Sequence, residues 1–378
     1  MAEFSRKIVD VITEYYSIPL PEVMGDAKHG LHTHFEVPIV KVILEDGSEG
    51  VGYTYTGGLG GRAICSIIEH ELKPFLIGKD ASCVEKLWEE MNWKIHYVGR
   101  GGITTFAISA VDIALWDLRA KKANEPLYKL VGGASNSTKC YAGAIDLNYP
   151  MEKLLSNIQG YLDKGFKAVK IKLGQETLLE DFNRVAAVRD LIGPDIVFAV
   201  DANMKWTVET AIKAAKKLNE YNILWLEEPT IPEDYDGYHR IAEEGGIAVA
   251  GGENLHTIYE FQNMISRGKI DFPQPDASNI GGITGWLKVA QLASAYNLPI
   301  CTHGMQELHV SLMAAIPHSA YMEVHSFPID EYTTRPLVID KETGRAIAPT
   351  IPGTGVIFDF EKLAPYKAEF QSRERVMK

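Results

Sequence analysis

Three short stretches, each closing a β-rich run, carry carboxylates: Asp201-Ala202-Asn203, Glu227-Glu228-Pro229 and Gly252-Glu253-Asn254. Acids from three successive strand ends converge on one point only if a cation holds them there. An all-oxygen donor set that leaves room for water and substrate suits Mg²⁺ rather than zinc. Either member of the Glu227-Glu228 pair meets that demand. Upstream, Lys170-Ile171-Lys172 puts two ammonium groups on the same side of one strand, because side chains alternate with a period of two. Their mutual repulsion is expected to lower each pKa toward a neutral, basic amine. Downstream, Pro275-Asp276 and Thr302-His303-Gly304 end neighbouring runs, so Asp276 can hold the imidazole tautomer and raise its basicity. Glu323 ends the last run and can donate a proton or hydrogen bond to a substrate carboxylate. With the metal strands lying between the lysine strand and the histidine strand, the two bases face a bound substrate from opposite sides. That is an arrangement for moving protons at either face of one carbon.

These residues need a scaffold that aims strand ends at one place. Eight β-rich runs, at 139–145, 167–173, 196–202, 223–228, 247–253, 270–276, 298–303 and 321–325, alternate with amphipathic helices. Strand–helix alternation implies parallel pairing, and about eight such units in roughly 220 residues predict a closed (β/α) barrel with its site at the C-terminal strand ends. Ahead of it, residues 36–55 alternate around an Asp46-Gly47 turn and predict an antiparallel hairpin. Helical patterns follow at 62–76 and 83–94, and then at 106–122, where Ile108, Val111, Leu115 and Leu118 fall at helical spacing. The expected organisation is an N-terminal α+β capping domain (1–132), a barrel (133–350) and a tail (351–378) that leaves the barrel and packs on the cap. The glycine-rich segments 57–61, 99–102 and 281–285 lack the spacing of a phosphate loop or dinucleotide fingerprint and are expected to be flexible loops.

Composition excludes several other functions. Lys and Arg total 38 against 50 Asp and Glu, a formal charge of −12, and no basic run interrupts that balance, so nucleic acid is not an expected partner. Such a chain must create local positive charge from a metal or a few lysines if it handles small anions. Four scattered cysteines, Cys65, Cys83, Cys140 and Cys301, form neither a disulfide framework nor a zinc motif. No apolar run approaches a membrane span. A cytoplasmic enzyme is the expectation.

The ordered set Lys170-x-Lys172, Asp201-x-Asn203, Glu227-Glu228-Pro, Gly-Glu253-Asn, Asp276, His303 and Glu323 resembles the pattern of the enolase superfamily, in its mandelate racemase and muconate lactonising enzyme branch. The resemblance implies a modified (β/α)₇β barrel with the N-terminal cap, and a homo-oligomer. It implies Mg²⁺ on Asp201, Glu227 and Glu253. Lys172 and the His303–Asp276 pair become the bases, Lys170 assists the substrate carboxylate, and a protonated Glu323 is its electrophilic partner. The reaction implied is abstraction of the proton next to the carboxylate of a sugar acid, followed by β-elimination to a 2-keto-3-deoxy acid. Stretches 274–279, 301–309 and 323–330 are similar to those of 3,6-anhydro-L-galactonate cycloisomerases, in which the leaving group is an internal ether oxygen. Racemisation of a 2-hydroxy acid, and a barrel that binds without catalysing, are the other readings. The polar stretch 25–34 reads as a lid over a polyhydroxylated acid, with Lys28 and His29, and Asn203 below, contacting substrate.

Overall fold

The computed structural model describes residues 6–370, so the first five residues of the expected cap and the last eight of the expected tail lie outside the described residues. Three antiparallel strands open the chain: β1 (Ile8–Asp26), β2 (Gly30–Leu44) and β3 (Glu49–Tyr53). β2 and β3 are the predicted hairpin, with Gly47 at φ 81° in its turn. β1 was not anticipated. Its charged residues Asp10, Glu14 and Glu22 and its prolines Pro19 and Pro21 mask the alternation. The pairing with β2 accommodates the prolines by a register shift between Pro19 and Met24, where a ladder bond is not needed.

The helix Ile103–Ala123 packs on this sheet, with Ile108, Val111, Leu115 and Leu118 buried as their spacing predicted. Close approach explains two strand glycines. A Cβ on Gly50 or Gly52 would fall 2.1 Å from the carbonyl oxygens of Ala114 and Ala110.

The parallel ladder runs in order through β4 (Ser137–Gly143), β5 (Ala168–Lys172), β6 (Val197–Asp201), β7 (Leu226–Glu227), β8 (Val249–Gly251) and β9 (Phe272–Pro273). The run expected at 298–303 is reduced to a single bridge, Ile300 to Ser319. It still completes the ring. The Cys301 amide donates to the Pro273 carbonyl at 2.9 Å, Ile300 bonds to His318 and Ala320, and β10 (Met322–His325) pairs in parallel with β4. Each strand or bridge before β10 is followed by a helix, giving the (β/α)₇β order. Trp225 fills the barrel interior against Tyr141 and Phe272, with Ala168, Ala199 and Ala250 leaving it room. A two-stranded extension, β11 (Val338–Asp340) and β12 (Arg345–Ile347), pairs antiparallel to β4.

The glycine-rich segment 281–285 is a correction. It is no loop but the buried start of the helix Gly282–Ala295, whose N-terminus is capped from the first domain. Ser109 accepts the Gly281 and Gly282 amides, and Asp112 accepts the Thr284 amide and hydroxyl. The tail returns to β1, where the Ala368 amide donates to the Tyr15 carbonyl. Among the described residues no helix is long and apolar enough to cross a membrane.

Candidate active site

The C-terminal ends of the barrel strands and the cap enclose a cavity of about 420 Å³. Parallel register places Lys172 beside Asp201, and Asp201 beside Glu227. The period of two turns Lys170 and Lys172, Ala199 and Asp201, and Trp225 and Glu227 inward together. Oxygens of Asp201, Glu227 and Glu253 lie within 4.8 Å of one another. Glu227 joins this cluster, whereas the oxygens of Glu228 turn to Asn254 Nδ2, 3.0 Å from each. Below the cluster, Glu227 Oε2 accepts from the Trp225 indole and the Gln274 amide, both at 2.9 Å.

This donor set fits a hard divalent cation. The three acids are buried or nearly so, all their donors are oxygen, and Glu253 Oε2 has no hydrogen-bond partner although it is shielded from solvent. Asn203 Oδ1, at the rim, is also buried and unpartnered.

The lysines depart from the sequence expectation. Lys170 Nζ lies 2.5 Å from Glu227 and 2.9 Å from Glu323, while Lys172 Nζ lies 2.6 Å from Asp201. Burial pulls both ammonium groups down, but these carboxylates outweigh burial and mutual repulsion, and both pKa values are raised. Glu323 departs likewise. Burial pushes its pKa up, yet Lys170 and His303 hold it well below the usual carboxylate range, the opposite direction to the one a protonated donor needs. Its Oε2 accepts the Gly304 amide at 3.0 Å.

Across the cavity, His303 Nδ1 lies 2.9 Å from Asp276 Oδ2. Burial lowers the imidazole's basicity, but Glu253, the Asp276 bond and Glu323 push it up to about 10. Its Nε2 faces Glu253 at 3.4 Å.

Of the lid residues, His29 lines the cavity and bonds Asp26 Oδ2 at 3.1 Å. Lys28 is exposed and lies outside the lining; only its amide contacts Asp26. Asp26 and His32 of the same lid stretch also line the cavity, and so do Tyr55 and His325, which sequence reasoning missed. His325 packs against His303 with ring centroids 5.1 Å apart and could have been marked by its place at the end of β10. Of the glycine-rich loops, 57–61 contributes Gly57, Leu59 and Gly60 to the lining, and Gly101 abuts His256, another lining residue.

A barrel whose strand ends gather three clustered carboxylates, a lysine and a histidine around one cavity has the groups that metal-assisted proton transfer needs. Comparison with known proteins gives the family. The model for the mandelate racemase / muconate lactonizing enzyme N-terminal domain matches residues 17–132, and the enolase C-terminal domain-like model matches residues 153–363. The chain belongs to the mandelate racemase / muconate lactonising enzyme branch of the enolase superfamily.

It is 46% identical, over 93% of its length and 97% of the relative's, to a 3,6-anhydro-alpha-L-galactonate cycloisomerase of Streptomyces coelicolor. It is 35% identical to the L-talarate/galactarate dehydratase of Salmonella typhimurium, over 85% and 82% of the two chains. A crystal structure described as a racemase from Streptomyces coelicolor with bound magnesium superposes with a TM-score of 0.93, covering 96% of this chain and all of that one at 45% identity. The magnesium agrees with the ion class that the three acids here suit.

Proposed function

We propose that the protein is a Mg²⁺-dependent cycloisomerase that opens 3,6-anhydro-L-galactonate to a 2-keto-3-deoxy acid. The similarity to a cycloisomerase of that name over nearly the whole of both chains carries the choice within the family. Dehydration of an open-chain sugar acid is the second reading, favoured by the 35% identity to a dehydratase. Both begin alike, with loss of the proton on the carbon next to the carboxylate.

A divalent ion held by Asp201, Glu227 and Glu253 supplies a positive charge against which the second negative charge of the deprotonated acid can build. Lys170 faces the same side and adds to that field. Lys172 and His303 each offer a nitrogen to the cavity, one on each side of the substrate. With Asp201 and Glu253 engaged by a cation, the carboxylate hold on both nitrogens weakens. Whichever of the two is then neutral takes the carbon-2 proton, and the other, still protonated, delivers a proton to the oxygen leaving carbon 3. In an anhydro acid that oxygen is the ring ether, so the C3–O bond breaks, oxygen gains the proton, and the enol left behind tautomerises to the 2-ketone. No atom is lost. In an open-chain acid the same step releases water. Glu323, ionised beside Lys170, serves in this reading to hold that lysine and the Gly304 amide in place.

His29 from the lid and Asn203 from the rim would contact the hydroxyls. The remainder of the proposal is a capping domain over 1–132, a barrel over 133–350, a tail over 351–378, and a cytoplasmic homo-oligomer. The test is incubation with 3,6-anhydro-L-galactonate, L-talarate, galactarate and other sugar acids in the presence of Mg²⁺. A semicarbazide-reactive product of unchanged mass from the anhydro acid supports cycloisomerisation. Loss of one water from an open-chain acid supports dehydration, and deuterium entering unchanged substrate supports racemisation. No reaction with any acid would return the chain to a binding role.

A further inference from the structure

Tyr55 belongs to the cap, two residues beyond β3, yet its hydroxyl is buried among barrel residues. The hydroxyl donates to Asp276 Oδ2 at 2.8 Å and lies 3.2 Å from His303 Nδ1. His303 Nδ1 reaches the same Asp276 oxygen at 2.9 Å, and Asp276 Oδ1 accepts the Ser278 amide at 2.7 Å. Each oxygen of Asp276 therefore faces donors, which requires the carboxylate form. His303 then keeps a hydrogen on Nδ1 in either charge state, so Nε2 is the nitrogen that gains or loses a proton in the chemistry.

A second feature meets the first from the barrel side. Gly304, directly after the histidine, has φ +57°, and a Cβ there would fall 2.1 Å from the Tyr55 hydroxyl oxygen. The His-Gly pair thus carries a notch that the cap's phenol fills. The Tyr55 ring is held edge-on against Phe327 at 6.0 Å.

We infer that Tyr55 is a positioning residue: the cap supplies the hydroxyl that fixes Asp276 and, through it, the working nitrogen of His303. The inference rests on the acid–base reading above. A tie between cap and barrel would explain the bond less well, because Tyr53 to Glu307 and Thr54 to the Ser278 carbonyl already fasten the same segment to the barrel.

Tyr55→Phe removes only the hydroxyl. With Mg²⁺ and the acid that the wild type turns over, kcat is expected to fall by about 10- to 100-fold from misplacement of the base. KM should stay within about twofold, and melting temperature and calorimetric Mg²⁺ affinity should match the wild type. Thr54→Val, which breaks a neighbouring cap–barrel bond, is expected to lower the melting temperature and leave kcat unchanged. Wild-type kcat in Tyr55→Phe would overturn the inference, and so would parallel losses of kcat, Mg²⁺ affinity and melting temperature. Failure of the functional reading is distinct, since it appears as an inactive wild type before any variant is made.

Discussion

Lys172 Nζ lies 2.6 Å from Oδ2 of Asp201, so a proposed base and a proposed metal ligand share one charge-assisted hydrogen bond. A cation seated on Asp201 would compete with that bond and free the amine toward substrate. Lys172→Ala should therefore reduce turnover by roughly 10²- to 10⁴-fold, the range of a lost general base. The variant should keep its Mg²⁺ affinity in calorimetry or bind somewhat more tightly, since a competing cation is gone. His303→Asn should lose turnover by a similar factor. Full activity in either variant would remove that residue from the proposed roles.

Metal removal tests the acid cluster itself. Dialysis against EDTA is expected to abolish turnover and Mg²⁺ to restore it. The ion should also raise the melting temperature, because it binds the folded arrangement and relieves repulsion among Asp201, Glu227 and Glu253. Glu227→Gln should weaken Mg²⁺ binding by at least about 10-fold, the cost expected when a ligand charge is removed. An EDTA-treated protein that melts at the same temperature with and without millimolar Mg²⁺ would argue against the cluster as a metal site.

What was legible in the sequence follows from how local each signal is. Asp201, the Glu227-Glu228 pair, Glu253 and Lys172 could be read as strand-end residues because strand ends in a parallel barrel all point to one face, whereas the choice of Glu227 within its pair comes from the resemblance. β1 could not, because its prolines and charges sit on an edge strand where they cost little. The raised lysine pKa values were hidden for a different reason. Repulsion between Lys170 and Lys172 is visible in the tripeptide, whereas the carboxylates that overcome it arrive from other strands. Tyr55 and Asp276 lie 221 residues apart, and nothing in either neighbourhood announces their bond. The start of the helix Gly282–Ala295 reads as a loop because its caps, Ser109 and Asp112, come from the other domain.

That interdomain cap gives a stability prediction. Asp112 receives only donors: the Thr284 amide at 2.9 Å and the Thr284 hydroxyl at 2.6 Å. The hydroxyl accepts the Trp116 indole N–H at 2.9 Å and spends its own hydrogen on Asp112, so an NH₂ at that position would leave this hydrogen without its acceptor. An asparagine of the same shape would turn its NH₂ toward one of these donors. Asp112→Asn should therefore destabilise the fold by about 1–3 kcal/mol, the cost of a buried mismatch, despite its near-identical volume. Denaturant unfolding would measure it, and a variant as stable as the wild type would show that the buried cap is not an acceptor-only site.

Glu307 provides the pH-dependent counterpart. It is buried where the first turn of the helix Gln306–Ala315 meets the cap, and it accepts from the Tyr53 hydroxyl through one oxygen while the other has no partner. Burial and the nearby Asp330 push its carboxyl up to about 8, against a partial opposing pull from Tyr53. A carboxyl whose folded pKa is raised contributes its full stability below the unfolded value, near 4.5, and loses it as pH rises through about 8. Glu307→Gln cannot ionise. The melting temperature of the variant relative to wild type should therefore climb between pH 5 and pH 9, whatever its sign at the acid end. A difference that stays flat across that range would mean that Glu307 is no more reluctant to ionise in the folded protein than in the unfolded chain.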